Sequence, residues 1–180
     1  TPVRIASLAA PRLKVDQKTV MVQGAAGAVG CCAVGLARLA GARVFATVRS
    51  EADALLARRA GAHEVLRTDG RLIPEIVRDV RALAPEGLDH VVEVAFDANI
   101  ELDTELLAQG ASIAAYATSR PNPAIPFWPL LFKNIRIHFV GSDDFSPEAR
   151  RAATQDVNRM LQTGSPGFTI EEYLWTFNMP

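Results

Sequence analysis

Residues 24–30, Gly24-Ala25-Ala26-Gly27-Ala28-Val29-Gly30, lie between a β-branched run, KTVMVQ, and a stretch of helical period. In that context a glycine pattern has a specific use. Gly27 lets the backbone come close to a pyrophosphate, and Gly30 lets the helix pack tightly on the strand. The free amides and positive dipole end of the helix then bind the anion without a basic side chain. The usual G-x-G-x-x-G has Ala25 at its first glycine, and Gly24 beside it supplies the flexibility. A plainer use of the same residues is a tight strand-to-helix turn with no ligand.

A second strand ends at Val48, followed by Arg49 and Ser50. An acidic residue at this place accepts hydrogen bonds from the ribose hydroxyls of NAD. A carboxylate would repel a 2′-phosphate, whereas a guanidinium binds one bidentately and a hydroxyl donates to it. The pair Arg49 and Ser50 therefore favours NADP(H). Glu51 and Asp53 nearby weaken an anion site, although acids in a first helical turn also suit the helix dipole. Arg49 as a solvated loop residue and Ser50 as a plain helix cap are the simpler alternatives.

The elements that position these residues follow from hydrophobic period. Strands are expected over 18–23, 43–48, 64–67, 90–95, 111–117 and 135–141. Helices are expected over 29–40, over 51–60 with a Ser50/Asp53 capping box, up to residue 83, over 99–108, and from the Ser146-Pro147 start to about 161. The proline-rich stretch 120–129 reads as an ordered loop with a short helix after it, through residue 132. Strand and helix alternating in this way imply parallel strands with right-handed crossovers, hence a doubly wound six-stranded α/β sheet with helices on both faces. Ligands of such sheets bind at the carboxyl ends of the strands, near the switch point.

The 180 residues are 49% hydrophobic and carry a formal net charge of −1. That composition suits one sizeable core and gives no bulk electrostatic case for nucleic acid or a membrane surface. No apolar run is long enough to span a bilayer, so a cytoplasmic location is expected. The two cysteines, Cys31 and Cys32, are adjacent in sequence and unsuited to a structural disulfide. His63, His90 and His138 fall on different elements, so no metal site is expected. Nothing has the spacing of a nucleophilic triad. Tyr116 fits a proton donor less well than an aromatic packed on a ligand or core. Phe127 and Trp128, among prolines, suit a substrate cleft, a subunit contact or burial under the last helix.

The segments GAAGAVG, LARLAGARVFATVRS, AGAHEV, LDHVVEVAF, LLAQGASIAAYATS and LLFKNIRIHFVGS, in this order, resemble the medium-chain dehydrogenase/reductase superfamily. Within it they resemble specifically the zinc-independent quinone oxidoreductases related to zeta-crystallin. The resemblance covers about residues 15–163 and implies a Rossmann-type domain. It further implies that Ala26, Gly27, Ala28 and Val29 line the pyrophosphate and that Arg49 and Ser50 face the adenosine phosphate. Ala95 and Tyr116 would flank the cofactor, and Phe139, Val140 and Gly141 would meet the nicotinamide carboxamide. A lysine that many relatives place at the position of Asp53 is absent, so Arg49 must take its part.

The resemblance also implies pairing of subunits through the last strands, and a GroES-like substrate domain that these residues do not include. Residues 1–17 are then a lead-in, 18–163 the NADP-binding domain, and 164–180, with Tyr173, Trp175 and Phe177, an unplaced segment. Three functions are compatible with this pattern. The first is an NADPH-dependent oxidoreductase passing a hydride to a quinone or activated double bond. The second is an NADP(H)-binding portion without activity of its own, and the third, disfavoured by Val48, is a methyltransferase. No catalytic residue is assigned.

Overall fold

The computed structural model describes residues 15–141 and 145–163. The expected lead-in and the segment 164–180 lie outside them, apart from residues 15–17. Six strands, β1 (Thr19–Val22), β2 (Arg43–Val48), β3 (Glu64–Arg67), β4 (Leu88–Glu93), β5 (Leu107–Ala115) and β6 (Arg136–Phe139), form one sheet in the order β3-β2-β1-β4-β5-β6. All five pairings are parallel. The chain thus has the doubly wound Rossmann-like α/β fold, with its switch point between β1 and β4.

Central strands read as unbroken apolar runs because helices cover both faces. Val20, Met21 and Val22 of β1 are buried, as is β2 from Val44 to Val48. On one face α1 (Ala28–Leu39) packs against α2 (Glu51–Ala60) and α6 (Pro147–Gln162) over a cluster that includes Val22, Val34, Ala46 and Met160. The other face carries α3 (Ile73–Leu83), α4 (Phe96–Leu106) and the short α5 (Phe127–Phe132), over Met21, Phe45, Val80, Leu106 and Ile113. Burying a side chain of this size contributes roughly 1.5–3 kcal/mol before entropy is counted.

Most expected boundaries move by one or two residues, and one junction differs more. The expected helix over 99–108 starts at Phe96 and stops at Leu106, and β5 begins at the very next residue. The reason is tertiary. Lys133 Nζ donates to the carbonyls of Thr104 (2.6 Å) and Leu107 (3.1 Å), taking over acceptors that another helical turn would have used. The fourth strand likewise starts earlier than expected, at Leu88, where Asp89 accepts from the backbone and hydroxyl of Thr19 on β1 (2.8 Å each).

Candidate functional site

The glycine-rich turn leaves the carboxyl end of β1 and opens α1. Gly24 has φ +62°, a conformation glycine adopts freely, and a Cβ there would lie 2.9 Å from Val94 Cγ1. Gly30 is fixed by close approach. A Cβ on it would fall 2.4 Å from the carbonyl oxygen of Gly24 and 2.7 Å from Cα of Ala25. Ala25, where the usual motif has glycine, points into the core and is fully buried. Gly27 is the residue before α1 and no side chain caps the helix there. Gly27 and Ala28 are exposed, with Ala26 and Val29 half-buried beside them. The turn therefore presents an open helix N-terminus at the switch point, an arrangement that suits an anion.

At the end of β2 the capping box forms as expected. Ser50 Oγ accepts from the Asp53 amide and Asp53 Oδ2 accepts from the Ser50 amide, both at 3.1 Å. The carboxylate of Asp53 is thereby committed to the cap, while the Ser50 hydroxyl retains its proton for donation. Glu51 pairs with Arg58 at 3.5 Å. Arg49 is exposed and makes no hydrogen bond or ion pair among the described residues. Arg67, which the sequence did not single out, is the register partner of Val48 and is also exposed. Its signal was a basic residue closing the strand next to β2, visible only once the strand order is known.

At the carboxyl ends of β4, β5 and β6 there is a cleft of about 420 Å³. Tyr116, Phe139, Val140 and Gly141, four of the residues expected at a ligand, line it together with Phe96, Thr118, Pro121 and Pro123. Phe96 is buried and meets Phe139 edge-on, with ring centroids 5.7 Å apart. Ala95 is half-buried and immediately precedes α4. Asp97 ties the segment after β5 to the start of α4. Its carboxylate accepts from Ser119 Oγ (2.7 Å), the Ser119 amide (2.8 Å) and Thr118 Oγ1 (2.9 Å), and these bonds hold its pKa at about 2. The Tyr116 phenol is pushed up to about 12 by burial and by Glu93, which speaks against proton donation near neutral pH.

Phe127 and Trp128 are 54% and 64% exposed, so they are not buried under α6. They sit on α5 and pack edge-on against each other at 5.4 Å.

Beneath the site is a line of side chains away from water. The Gly24 amide donates to Thr47 Oγ1 (3.3 Å), Thr47 to Gln23 Oε1 (2.5 Å), and Gln23 Nε2 to Asp103 Oδ1 (2.7 Å). Glu93 Oε1 accepts from Asn99 Nδ2 (3.0 Å) and from the Ala95 amide. Burial raises the pKa of both Glu93 and Asp103, and the neighbouring Glu93 charge raises Asp103 further.

The sequence pattern of the family described as zinc-binding dehydrogenase matches residues 28–158. The chain belongs to this family. Among curated proteins it is similar to a quinone oxidoreductase of Pongo abelii, at 30% identity over 96 residues, 53% of this chain and 29% of that protein. It is similar also to the quinone oxidoreductase of Mus musculus, at 30% over 105 residues, 58% of this chain and 31% of that one. Among solved structures it superposes on AibC with a TM-score of 0.75 and 27% identity, covering 91% of this chain and 47% of that one. A mycobacterial quinone oxidoreductase gives a TM-score of 0.76 at 21% identity, over 94% of this chain and 53% of that one, a likeness of fold. The matched region thus spans less than a third of the curated relatives and about half of the solved chains. These likenesses place the chain with the quinone oxidoreductase-like members of the medium-chain dehydrogenase/reductase superfamily.

The family's description raises zinc, and the described residues do not fit it. No three of their His, Cys, Asp or Glu side chains converge as a ligand set. Cys31 and Cys32 are buried, and burial raises the pKa of both, the reverse of what a thiolate ligand needs. His63 Nδ1 accepts from the Val44 amide at 2.9 Å with Arg38 against its other nitrogen, and His90 Nδ1 is bonded to Ser112 Oγ at 2.8 Å. Among the described residues no helix is long and apolar enough to cross a membrane.

Proposed function

We propose that this chain is the NADP(H)-binding portion of a zinc-independent oxidoreductase that passes a hydride to a quinone or an activated double bond. The observation that carries this reading is the row of features along one edge of the sheet. Arg49 and Ser50 follow β2, the uncapped glycine turn follows β1, Ala95 follows β4, and the apolar cleft lies at β5 and β6. With strands about 4.8 Å apart, the row from β2 to β6 runs about 19 Å, suited to an extended dinucleotide.

On this reading the amides at the start of α1 receive the pyrophosphate. Arg49 and Ser50 take the 2′-phosphate, with Arg67 adding positive charge beside them. Tyr116, Phe139, Val140 and Gly141 hold the nicotinamide ring and keep water from one side of it. The bound cofactor supplies the hydride chemistry, and the chain's task is to orient the ring. No step runs through a metal.

The similarity to quinone oxidoreductases supports the acceptor class. One observation favours a narrower second reading, an NADP(H)-binding portion inactive by itself: the matches cover under a third of the curated relatives. A methyltransferase is disfavoured because every strand pairing among the described residues is parallel, whereas such enzymes usually carry an antiparallel strand near the end. The exposed Phe127, Trp128 and Phe132 beside edge strand β6 suit a homodimer contact, and the family resemblance points to the same strands.

Titration with NADPH and with NADH, followed by nicotinamide fluorescence, tests the cofactor reading. NADPH is expected to bind more tightly, and Arg49→Ala to bring it to the NADH level. Equal binding of both by the unaltered chain would remove Arg49 from the argument. Oxidation of NADPH by quinone, in this chain and in one joined to a GroES-like domain, separates the two readings of activity.

A further inference from the structure

Glu93 and Asp103 are both fully buried, and the hydrogen bonds around them leave two atoms over. Glu93 Oε1 serves Ala95 and Asn99, and Asp103 Oδ1 serves Gln23, but Glu93 Oε2 and Asp103 Oδ2 have no donor. The two carboxyl groups lie close enough that each acts on the other's titration. Two carboxylates are acceptors only and cannot bond without a proton between them. One proton placed between the two orphaned oxygens satisfies both, and avoids burying two bare charges side by side.

We propose that Glu93 and Asp103 share a single proton, and that this protonated pair is a positioning element which locks the glycine-rich turn to the start of α4 for nucleotide binding. The positioning role rests on the nucleotide reading above. Glu93 and Asp103 touch no ligand. They act through the line of hydrogen bonds, which runs one way through Gln23 and Thr47 to the Gly24 amide and the other way to Ala95 and Asn99. Gly24 belongs to the turn expected at the pyrophosphate, and Ala95 adjoins Phe96 of the cleft. One proton therefore bridges the switch point between β1 and β4, where the two halves of the row meet.

The surroundings offer no cation to compensate a second charge. From the end of β1 and from α4 the pair meets two side-chain amides, Gln23 and Asn99, and the Thr47 hydroxyl of β2 reaches it only through Gln23. Just past β5 lies the Tyr116 phenol, whose own pKa burial and Glu93 push up to about 12. Among the described residues no Arg, Lys or His is hydrogen-bonded to or ion-paired with either carboxyl. The folded chain thus keeps a proton that the unfolded chain releases in the ordinary carboxyl range. The stability this provides is complete below that range and is lost as pH rises through the pair's folded pKa.

Glu93→Gln separates the proton from the geometry. Its amide oxygen can accept from Ala95 and Asn99 while its nitrogen donates to Asp103 Oδ2, so the line persists without titrating. Thr47→Val cuts the line in a side chain of similar shape. Three readouts on the full 180-residue chain, between about pH 5 and pH 9, test the proposal: the unfolding midpoint without nucleotide, the infrared carbonyl band of a protonated carboxyl, and NADPH affinity. Glu93→Gln should gain stability relative to the unaltered chain as pH rises, and should remove the band. It should hold NADPH affinity within about threefold at neutral pH and flatten any alkaline decline, whereas Thr47→Val should lose about tenfold, the scale of one buried hydrogen bond.

A stability difference that does not vary with pH, together with no carboxyl band in the unaltered chain, overturns the shared proton. Unchanged affinity in Thr47→Val overturns the positioning role. If the unaltered chain shows the band and the pH-dependent difference yet binds no NADPH at any pH, the nucleotide reading fails and takes the positioning role with it, while the shared proton stands.

Discussion

The two ends of the candidate site are built on opposite principles. At the β2 end the expected contacts are exposed and polar: Arg49 has no partner among the described residues, and Ser50 and Asp53 are organised by two hydrogen bonds of the helix cap. At the β4 to β6 end the surface is a cleft walled by Phe96, Tyr116 and Phe139, with Thr118 held nearby through Asp97. On the proposed reading the first end would discriminate ligands by charge, and it contributes little to folding. The second is continuous with the core through Phe96, so changes made there affect fold and ligand together.

Phe96→Ala should widen this contrast most. Phe96 is 1% exposed, and truncation of such a core aromatic costs about 3–5 kcal/mol. Chemical denaturation should show that loss, with weakened binding of NADPH and NADH alike; a variant of ordinary stability would mean that the cleft wall is independent of the core. Gly30→Ala attacks the point the two ends share. With its new methyl 2.4 Å from the Gly24 carbonyl oxygen, the helix must shift, at about 3 kcal/mol, the upper end of ordinary overpacking costs. Gly27→Ala is the control, because its nearest contact is 3.4 Å and it should fold normally.

Arg49→Ala tests the polar end by itself. It should forfeit about 2 kcal/mol of NADPH affinity, the scale of a hydrogen bond to a charged group, while NADH affinity and the unfolding midpoint stay as they were. If NADH binding falls equally, Arg49 is serving something other than the 2′-phosphate. Ser50→Ala should have the smallest effect, about 1 kcal/mol of stability from the lost cap, read by thermal unfolding. A larger loss of NADPH affinity than of stability would show that the hydroxyl has a second task.

The same contrast governs what could be read from sequence. The β2 end was legible because helix caps and charges act locally: Ser50 and Asp53 are three residues apart and need no knowledge of the fold. The glycine turn was legible for the same reason, even with Ala25 in place of a glycine. The parallel direction of the strands followed from the alternation of periods. The junction of α4 and β5 was not legible, since Lys133, far along the chain, takes the carbonyls that end the helix. Nor were Arg67 and the carboxyl pair. Arg67 gains its place only from strand order, and Glu93 and Asp103 meet only when α4 folds back on β4.

The bond between Thr19 and Asp89 joins residues 70 positions apart, and the central β1–β4 pairing spans the same distance. Chains that must close such long intervals before their pairing is rewarded fold slowly. The switch point where the candidate ligand would lie cannot exist until that closure is made, because one side of it is Gly24 and the other Ala95. A ligand bound there should therefore leave the refolding rate nearly unchanged and act instead as a brake on unfolding, lengthening the life of the native chain.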